Sequence, residues 1–259
     1  MERLDLLKDN LAEKRMVAVA FSGGVDSTFL LKVAHDVLGD GAIAVTVRNE
    51  LCSEEEMCEA ELFCRNNGIK QIIVSPDILH DEAFAVNPPD RCYICKKKIF
   101  SSVIEEAKGY TVMDGTNADD TGDYRPGMRA LSELGILSPL KELGFTKKEI
   151  RDLSVKMGLP TADKPSAACL ASRIAYGERI TEDKLKMADK AECCLRRHGI
   201  VNCRVRIHGD IARIETSKKD MELVLKVREE VTEIIKSYGI RYVTLDLEGY
   251  RTGSMNEVL

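Results

Sequence analysis

The stretch Ser22-Gly-Gly-Val-Asp-Ser27 places two hydroxyls, two glycines and one carboxylate directly after an apolar run at residues 17–21. Glycines between a strand and a helix let the backbone approach a ligand closely, and the unpaired N–H groups of a helix start attract anions. A phosphate group is therefore the expected ligand. The stretch matches neither the G-x-x-x-x-G-K-[ST] loop nor the G-x-G-x-x-G fingerprint. The plain structural alternative is a Gly-Gly turn in which Ser27 caps the helix.

A second glycine-led turn, Asp114-Gly-Thr-Asn-Ala-Asp-Asp120, follows another apolar strand pattern. Ligands of parallel sheets bind beyond the carboxyl ends of the strands, so this turn can face the same ligand as residues 22–27. Gly, Asn and Asp are also ordinary turn formers, and the segment alone fits either interpretation. Together with the first loop it favours a role in ligand binding.

The nine cysteines are odd in number and lack the spacing of a small disulfide framework, which predicts free thiols in a reducing compartment. Cys58 and Cys64 fall in a helical pattern and are expected in the core. Cys92 and Cys95 form a C-x-x-C pair that fits half a zinc site, a redox pair or two structural thiols. Cys169 lies in an Ala-Ala-Cys-Leu-Ala turn, where residue types alone favour a buried thiol.

Strand and helix patterns alternate over residues 1–165, which predicts an α/β fold with a doubly wound, mostly parallel sheet and helices on both faces. The helices are expected at 3–14, 27–38, 54–66, 95–107 and 146–157, and the strands at 16–21, 42–47, 70–74 and 111–114. Thr146 and Glu149 form a capping box at the start of the last helix.

The pattern changes after residue 165. A helix at 182–198, a hairpin within 201–215 that turns at 208–210, a helix at 219–238 and a strand at 242–247 predict a smaller α+β domain over residues 166–259. Glu192 is expected on the solvated surface of the first of these helices. The sequence patterns assign no role to the histidines.

The overall composition excludes several classes of protein. A net charge of −5 and a pI near 5.6 argue against a wide nucleic-acid-binding surface. No run approaches the roughly 18 apolar residues of a membrane span, and the N-terminal residues lack the pattern of a signal peptide. We therefore expect a cytoplasmic protein with neither a membrane nor a nucleic acid as partner.

Residues 22–27 resemble the pyrophosphate loop of the PP-loop ATP pyrophosphatases, Rossmann-like enzymes that cleave ATP between the α and β phosphates to adenylate a substrate. Three further segments resemble the LarE family, ATP-dependent sulfur transferases that help to make the nickel-pincer nucleotide of lactate racemase. These segments are Asn87-Pro-Pro-Asp-Arg-Cys-Tyr-Ile-Cys-Lys96, Lys164-Pro-Ser-Ala-Ala-Cys-Leu-Ala-Ser-Arg-Ile174 and Glu248-Gly-Tyr-Arg-Thr-Gly-Ser-Met-Asn256. The resemblance covers essentially the whole chain.

The resemblance implies ATP and Mg²⁺ as ligands. The loop amides, Ser22 and Ser27 would hold the released pyrophosphate, and Asp26 would position Mg²⁺, since a carboxylate is a hard ligand for a hard cation. The adenine is implied near Val47. The full nucleotide-binding set implied in this way is Ala20, Ser22, Gly23, Gly24, Val25, Asp26, Ser27, Val47, Gly115, Thr116 and Asn117.

The family's sacrificial mechanism implies a small-molecule nucleotide substrate, pyridinium-3,5-biscarboxylic acid mononucleotide. One of its carboxylates would be adenylated and then attacked by Cys169, which would lose its sulfur and become dehydroalanine. Ser172 and Arg173 follow this nucleophile and complete the candidate catalytic set, and the Arg173 cation is expected to lower the pKa of the Cys169 thiol. The resemblance also implies a homo-oligomer, namely a hexamer, and a substrate-phosphate site at Arg204, Arg206 and Glu215.

Three alternatives stay open at this point. Cys92, Cys95 and Cys169 can together hold a [4Fe–4S] cluster with one open iron, as in cluster-dependent relatives, in which case the cysteines survive. The chain can also be a PP-loop enzyme that thiolates tRNA or amidates a small acid, although its acidic balance argues against tRNA and no glutaminase segment is present. A regulatory module that binds ATP without turnover is the third alternative.

Overall fold

The protein is described from a computed structural model, and the structure describes residues 2–121, 126–165, 168–251 and 254–256. Ser166, Ala167, Thr252 and Gly253, which belong to the family-like segments, lie outside the described residues. The chain forms two compact units. The first comprises Met1–Asn49, Glu54–Ile78 and Cys92–Ala167, and the second comprises Glu50–Ser53, Leu79–Arg91 and Ala168–Leu259. The domain boundary between residues 165 and 166 stays a prediction.

The described residues contain seven strands and eleven α-helices. The strands are β1 (Val17–Ala20), β2 (Ala42–Val47), β3 (Gln71–Val74), β4 (Thr111–Met113), β5 (Cys203–His208), β6 (Ile211–Thr216) and β7 (Tyr242–Leu245). The helices are α1 (Arg3–Lys14), α2 (Val25–Leu38), α3 (Glu54–Asn66), α4 (Glu82–Ala85), α5 (Arg91–Glu106), α6 (Pro126–Glu133), α7 (Pro139–Glu142), α8 (Lys147–Lys156), α9 (Glu182–Arg197), α10 (Met221–Lys226) and α11 (Arg228–Ser237).

The first unit is built on a wholly parallel sheet with the strand order β3-β2-β1-β4. Val17 of β1 pairs with Ala42 of β2 on one side and with Thr111 of β4 on the other. The chain thus starts in the middle of the sheet and winds outward in both directions, which confirms the doubly wound α/β prediction. All four strands end at one edge, where the loops that follow β1 and β4 lie side by side.

Both faces of this sheet are buried, because successive residues of a strand point to opposite sides. Val17 and Val19 pack into a core cluster with residues of α1, α2 and α3. Ala18 points to the other face, in a second cluster with Phe100 and Val103 of α5. The near-continuous apolar run of β1 follows from this double burial, which is typical of parallel sheets.

The second unit contains a three-stranded sheet with the order β5-β6-β7. β5 and β6 form an antiparallel hairpin in which His208 pairs with Ile211, and Gly209 adopts a φ of +57° in the turn. β7 joins β6 in parallel after the crossover through α10 and α11. The predicted α+β pattern of this region is confirmed.

Two predicted helices differ from the structure, and a third helix, α6, is absent from the predicted set. The helix expected at 219–238 is divided into α10 and α11 at Val227, whose φ of −101° and ψ of 11° depart from helical values. The helix expected at 95–107 begins at Arg91, so the C-x-x-C pair is helical. α6 begins at Pro126, which suits proline because the first helical position needs no backbone N–H donor.

The capping box is confirmed, since the Glu149 N–H donates to Thr146 Oγ1 at 3.3 Å and the Thr146 N–H donates to Glu149 Oε2 at 2.9 Å. Within the described part of the chain, none of the helices has both the length and the apolar character needed to cross a bilayer.

Candidate active site

The loop between β1 and α2 has the geometry of an anion cradle. Gly23 adopts a φ of +69°, which glycine reaches without strain, and a Cβ there would lie 3.2 Å from Ala60 Cβ. Gly24 is the N-cap residue of α2 and, having no side chain, accepts no capping hydrogen bond. The first-turn N–H groups of α2 are therefore directed at the loop's concave side with the positive end of the helix dipole.

Two hydroxyls line this loop. Ser22 Oγ and Ser27 Oγ lie 3.2 Å apart, and Ser27 Oγ donates to the Gly24 carbonyl at 3.3 Å. Ser27 thus sits within the first turn of α2, whereas Gly24 occupies the N-cap position. This geometry argues against the plain capping alternative and places two hydroxyl groups next to the first-turn N–H groups of α2.

The turn after β4 presses against this loop. A Cβ on Gly115 would lie 2.8 Å from the Ser27 nitrogen and 3.1 Å from the Asp26 carbonyl carbon, so only glycine fits between the two backbones. The turn itself is fixed by Asp114, which accepts hydrogen bonds from Thr116 Oγ1 and, at 2.6 Å, from Ser138 Oγ. The structure therefore brings together the two segments that the sequence pattern assigns to one ligand.

Asp26 is the main charged group at this position. Its Oδ2 lies 2.6 Å from Lys147 Nζ, while its buried Oδ1 accepts no hydrogen bond of ordinary geometry from the described residues. Burial raises the pKa of Asp26 above its ordinary value, Lys147 and the Asn117 amide partly offset this, and the nearby Asp120 carboxylate raises it further. An orphaned carboxylate oxygen beside a second carboxylate is a donor set that fits Mg²⁺.

The remaining nucleotide-binding candidates lie around the same edge. Ala20 ends β1 and Val47 ends β2, two adjacent parallel strands, and Val25 opens α2. Asn117 is buried, and its Oδ1 accepts from the Asp119 N–H at 2.9 Å. Its side chain therefore holds the turn after β4 closed.

Three residues beyond the predicted set also lie here. Lys147 pairs with Asp26, and Lys164 Nζ donates to the Gly23 carbonyl at 3.1 Å and pairs with Glu59 at 2.6 Å. Asp120 adds negative charge beside Asp26. Asp120 and Lys164 fall within segments already selected by motif, but Lys147 carries no signal apart from its place after the Thr146 cap.

Cys169 immediately precedes a short 3-10 turn, Leu170–Arg173, in the second unit. Its side chain is exposed, so the prediction of a buried thiol from residue types is wrong. The main chain around it is held by Arg173, whose Nη1 donates to the Ala168 carbonyl at 2.6 Å and to the Cys169 carbonyl at 3.2 Å. The backbone of the turn is thus anchored while the thiol stays accessible.

Arg173 is itself buried and bound in a forked pair to Glu192. Its Nε and Nη2 donate to the two Glu192 carboxylate oxygens, each at 2.8 Å. Glu192 is only 1% exposed, so the expectation that it lies on a solvated helix surface is wrong. Burial alone would raise the pKa of Glu192, but Arg173 and the Val205 N–H lower it below its ordinary value. Because this carboxylate pairs with the guanidinium, Arg173 acts mainly as an anchor of the turn.

A second buried pair supports the same turn. Arg206 Nη1 donates to the Ser172 carbonyl at 2.8 Å, and Arg206 Nε donates to Glu215 Oε2 at 3.2 Å. Glu215 is fully buried and also accepts from Arg213 at 2.8 Å and from Ser254 at 3.0 Å. A carboxylate repels phosphate, so Glu215 is suited to orienting Arg206 rather than to contacting a phosphate itself.

Arg204 lies two residues before Arg206 on β5 and therefore on the same face of the strand. Its Nη1 donates to the Cys203 carbonyl at 2.7 Å, and its guanidinium lies 5.3 Å from the centre of the Tyr250 ring. This aromatic contact orients a guanidinium that is less buried than that of Arg206. The substrate-phosphate role of the two arginines stays a prediction.

The C-x-x-C pair lies in the first turn of α5, where residues three apart share a face. Cys92 is exposed and Cys95 is half-buried. Cys64 is buried, and burial raises the pKa of its thiol to about 12, as expected of a core cysteine. Cys58 is exposed, so the prediction that it lies in the core is wrong.

Comparison with known proteins identifies the family. No family model matches the chain. The chain is 40% identical to an uncharacterized protein of Synechocystis sp., over 99% of this chain and 98% of that protein. It is 39% identical to the pyridinium-3,5-bisthiocarboxylic acid mononucleotide synthase of Lactiplantibacillus plantarum, over 96% of this chain and 92% of that enzyme. A more distant relative, one of the subunits of the glutamine-hydrolyzing GMP synthase of Thermoplasma volcanium, is 27% identical over 70% of this chain and 64% of its own length.

The first two relatives align with this chain over nearly the full length of both proteins. One of them is named for a product that carries two thiocarboxylic acid groups. The parallel sheet and the serine-glycine loop after β1 agree with this relationship. The chain therefore belongs to the LarE family of sulfur transferases, within the PP-loop ATP pyrophosphatases.

Proposed function

We propose that the protein is an ATP-dependent, AMP-forming sulfur transferase that inserts sulfur into a carboxylate of pyridinium-3,5-biscarboxylic acid mononucleotide. The observation that carries this proposal for the present chain is Cys169, an exposed thiol whose main chain is fixed by two buried Arg–Glu pairs. The substrate class follows from the relative that is named for the corresponding bisthiocarboxylic acid mononucleotide. ATP would bind at the loop after β1.

The first step is adenylation. A carboxylate oxygen of the substrate attacks the α phosphorus of ATP, the bond to the β-phosphate oxygen breaks, and pyrophosphate leaves. The negative charge of the departing pyrophosphate is stabilised by the Ser22 and Ser27 hydroxyls and by the first-turn N–H groups of α2. Asp26 and Asp120 would hold Mg²⁺, which supplies positive charge to the phosphates when bound. The Lys147 ammonium, which pairs with Asp26 in the ligand-free chain, is then available to a phosphate oxygen.

The second step is attack by the Cys169 thiolate on the acyl carbon. The bond from that carbon to the AMP oxygen breaks, so a thioester forms and AMP leaves. Arg173 positions the attacking residue through the main chain of the turn, and Arg204 and Arg206 bind the substrate's phosphate as guanidinium groups. Arg206 stays charged beside Glu215, although burial lowers its pKa.

The third step transfers the sulfur. Water or a side-chain base takes up the Cα proton of residue 169, the electron pair of that C–H bond forms a new Cα–Cβ double bond, and the Cβ–Sγ bond breaks. The sulfur leaves with the substrate as a thiocarboxylate, and residue 169 becomes dehydroalanine. This elimination needs no oxidant or reductant, and each chain turns over once.

The second candidate mechanism uses a [4Fe–4S] cluster as the sulfur carrier. Cys92 and Cys95 favour it, because they lie one helical turn apart and neither is fully buried. Cys169 would be the third ligand in that case, and all three residues would survive turnover. A PP-loop enzyme acting on tRNA or an ATP sensor without turnover has no comparable support among the described residues.

A mass measurement after a single turnover tests the two routes. In the sacrificial route the wild-type chain loses the elements of hydrogen sulfide, about 34 Da, at residue 169. Cys169→Ser makes no product, whereas the Cys92→Ser/Cys95→Ser double variant, the matched control, still completes one turnover. An unchanged mass with iron-dependent, repeated turnover that disappears in the double variant would overturn the sacrificial route in favour of the cluster.

Pyrophosphate release separates this function from the other classes. We expect release only when the pyridinium biscarboxylic nucleotide is present, and no release with tRNA or with ATP alone.

The proposal also includes a homohexamer in the cytoplasm. Sedimentation at several protein concentrations checks the oligomeric state.

A further inference from the structure

Cys194, His198 and Glu230 form a cluster in the second unit that the proposed reaction does not use. Cys194 lies in the last turn of α9, His198 is the residue that caps this helix, and Glu230 lies in the first turn of α11. One ligand atom from each residue lies within 4.8 Å of the other two, and His198 Nε2 is 2.8 Å from Glu230 Oε2. The sequence pattern assigns none of these residues a role.

The placement of the three side chains follows from helix geometry. Cys194 and His198 are four residues apart, which puts them on the same face of α9, the spacing used by paired ligands on metal-binding helices. Cys194 is buried, whereas the side chains of His198 and Glu230 are 38% and 58% exposed. A cation can therefore enter from the solvent side and reach the sulfur beneath.

A divalent cation bound here would take the place of the Cys194 thiol proton and contact the thiolate and the Glu230 carboxylate together, so its uptake would release a proton.

We propose that Cys194, His198 and Glu230 bind one divalent transition metal of the zinc class, with water completing the coordination. A thiolate, an imidazole and a carboxylate are the three ligand types of protein-bound zinc, and such a mixed set disfavours Mg²⁺ and Ca²⁺. Ligand bonds of about 2.0–2.3 Å require the imidazole nitrogen and the carboxylate oxygen to move slightly apart from their present hydrogen bond.

The metal would join α9 to α11. Glu192, which pairs with Arg173, lies two residues before Cys194 on the same helix. The site would therefore stabilise the helix that positions the turn of Cys169. This consequence concerns stability and does not require the proposed sulfur transfer.

Titration of the full chain with Co²⁺ tests the site, because cobalt bonded to a thiolate gives a charge-transfer absorption that protein alone lacks. The Cys58→Ser/Cys92→Ser/Cys95→Ser/Cys169→Ser background removes the three exposed cysteines and Cys95. In this background we expect one equivalent of Co²⁺ to bind with the thiolate band and to be displaced by Zn²⁺. Cys194→Ser should abolish the band, and His198→Gln and Glu230→Gln should each weaken binding by at least about tenfold.

Cys193→Ser is the matched control, since it removes the neighbouring thiol, and it should leave the titration unchanged. Circular dichroism checks that the variants fold, and the exposed positions of His198 and Glu230 keep the test valid if Cys194→Ser fails to fold. A missing band in the parent, a band that survives in Cys194→Ser, or unchanged affinity in both His198→Gln and Glu230→Gln would overturn the site. The titration uses neither ATP nor substrate, so its failure is distinct from failure of the proposed function.

Discussion

Replacing Gly115 with alanine tests whether the turn after β4 and the loop after β1 form one nucleotide site. The added Cβ would lie 2.8 Å from the Ser27 nitrogen and 3.1 Å from Asp26 and Ser27 backbone carbons. All of these are main-chain atoms at the start of α2, and none can move away by a side-chain rotation. Relief to an ordinary contact near 3.4 Å requires the two backbones to separate by about 0.6 Å (3.4 − 2.8).

The size of the effect follows from that displacement. Overpacking of a well-packed region costs about 1–3 kcal/mol. If the loop stays in place, the cost lowers the free energy of unfolding. If the loop instead shifts, the same amount is lost from ATP binding, which corresponds to a weakening of about 5- to 150-fold. Gly115→Ala should therefore lose stability, ATP affinity or a share of both, with a combined cost in this range.

Urea unfolding and calorimetric titration with Mg²⁺ and a non-hydrolysable ATP analogue measure the two contributions. Gly127→Ala is the matched control, because its Cβ would meet carbons of the flexible Lys96 side chain at 2.7 Å and 3.2 Å, which can rotate away. Gly127 lies in α6, so alanine there should not destabilise the chain. Gly115→Ala with wild-type stability and wild-type affinity would refute the close packing of the two segments.

Three further substitutions test the charged and buried groups. Burial raises the pKa of Asp26, so the ionised form of this carboxyl costs stability at neutral pH. Asp26→Asn should therefore raise the Tm of the chain without ligands. The same substitution should abolish the increase in Tm that Mg²⁺ and ATP are expected to cause. Because the pKa of Glu192 is lowered, its contribution is present above about pH 4.5 and is lost as the pH falls through the folded-state pKa. Glu192→Gln should therefore cost about 3–5 kcal/mol in urea unfolding at pH 7 and less below pH 4.5, since it leaves Arg173 buried without its carboxylate. Asn87 is fully buried and has a φ of +57°. Its side-chain amide donates to the Ala175 carbonyl at 2.7 Å and to the Ile174 carbonyl at 3.2 Å. Asn87→Ala should therefore lower the free energy of unfolding by about 1–3 kcal/mol, because it leaves these carbonyls without their donor. An Asn87→Ala protein as stable as wild type would contradict that account.

The sheet and its ligand-binding edge could be predicted from the sequence because they follow from local patterns. The apolar run of β1 indicates a strand buried on both faces, and the two glycines after it indicate a turn into a helix. Such local patterns do not predict the order of the strands. They do predict that the loops after the strands lie at the carboxyl edge of a parallel sheet, because this holds for any strand order. The proximity of Gly115 to Ser27 is a consequence of this rule, since β4 pairs directly with β1.

The charged partners could not be predicted in the same way. The sequence pattern predicts a surface position for Glu192, because α9 is rich in charged side chains. Its burial is explained by the contact with Arg173, which is distant in sequence. Lys147 is 121 residues from Asp26 in the chain, so no local pattern links the two. Cys169 is exposed although its neighbours in sequence are small and apolar, because backbone hydrogen bonds from Arg173 fix the turn in place of side-chain packing.

The buried pairs Arg173–Glu192 and Arg206–Glu215 are better explained by positioning than by stability. A well-packed apolar group commonly replaces a buried ion pair at no cost in stability, so stability alone does not account for two of them under one turn. Both guanidinium groups donate to carbonyls of that turn, at residues 168, 169 and 172. Apolar side chains cannot supply such bonds, and burying the Cys169 side chain would remove the exposure that the proposed function requires. Under the proposed function Cys169 must stay accessible, and a main chain held by Arg173 and Arg206 positions this residue without burying its side chain.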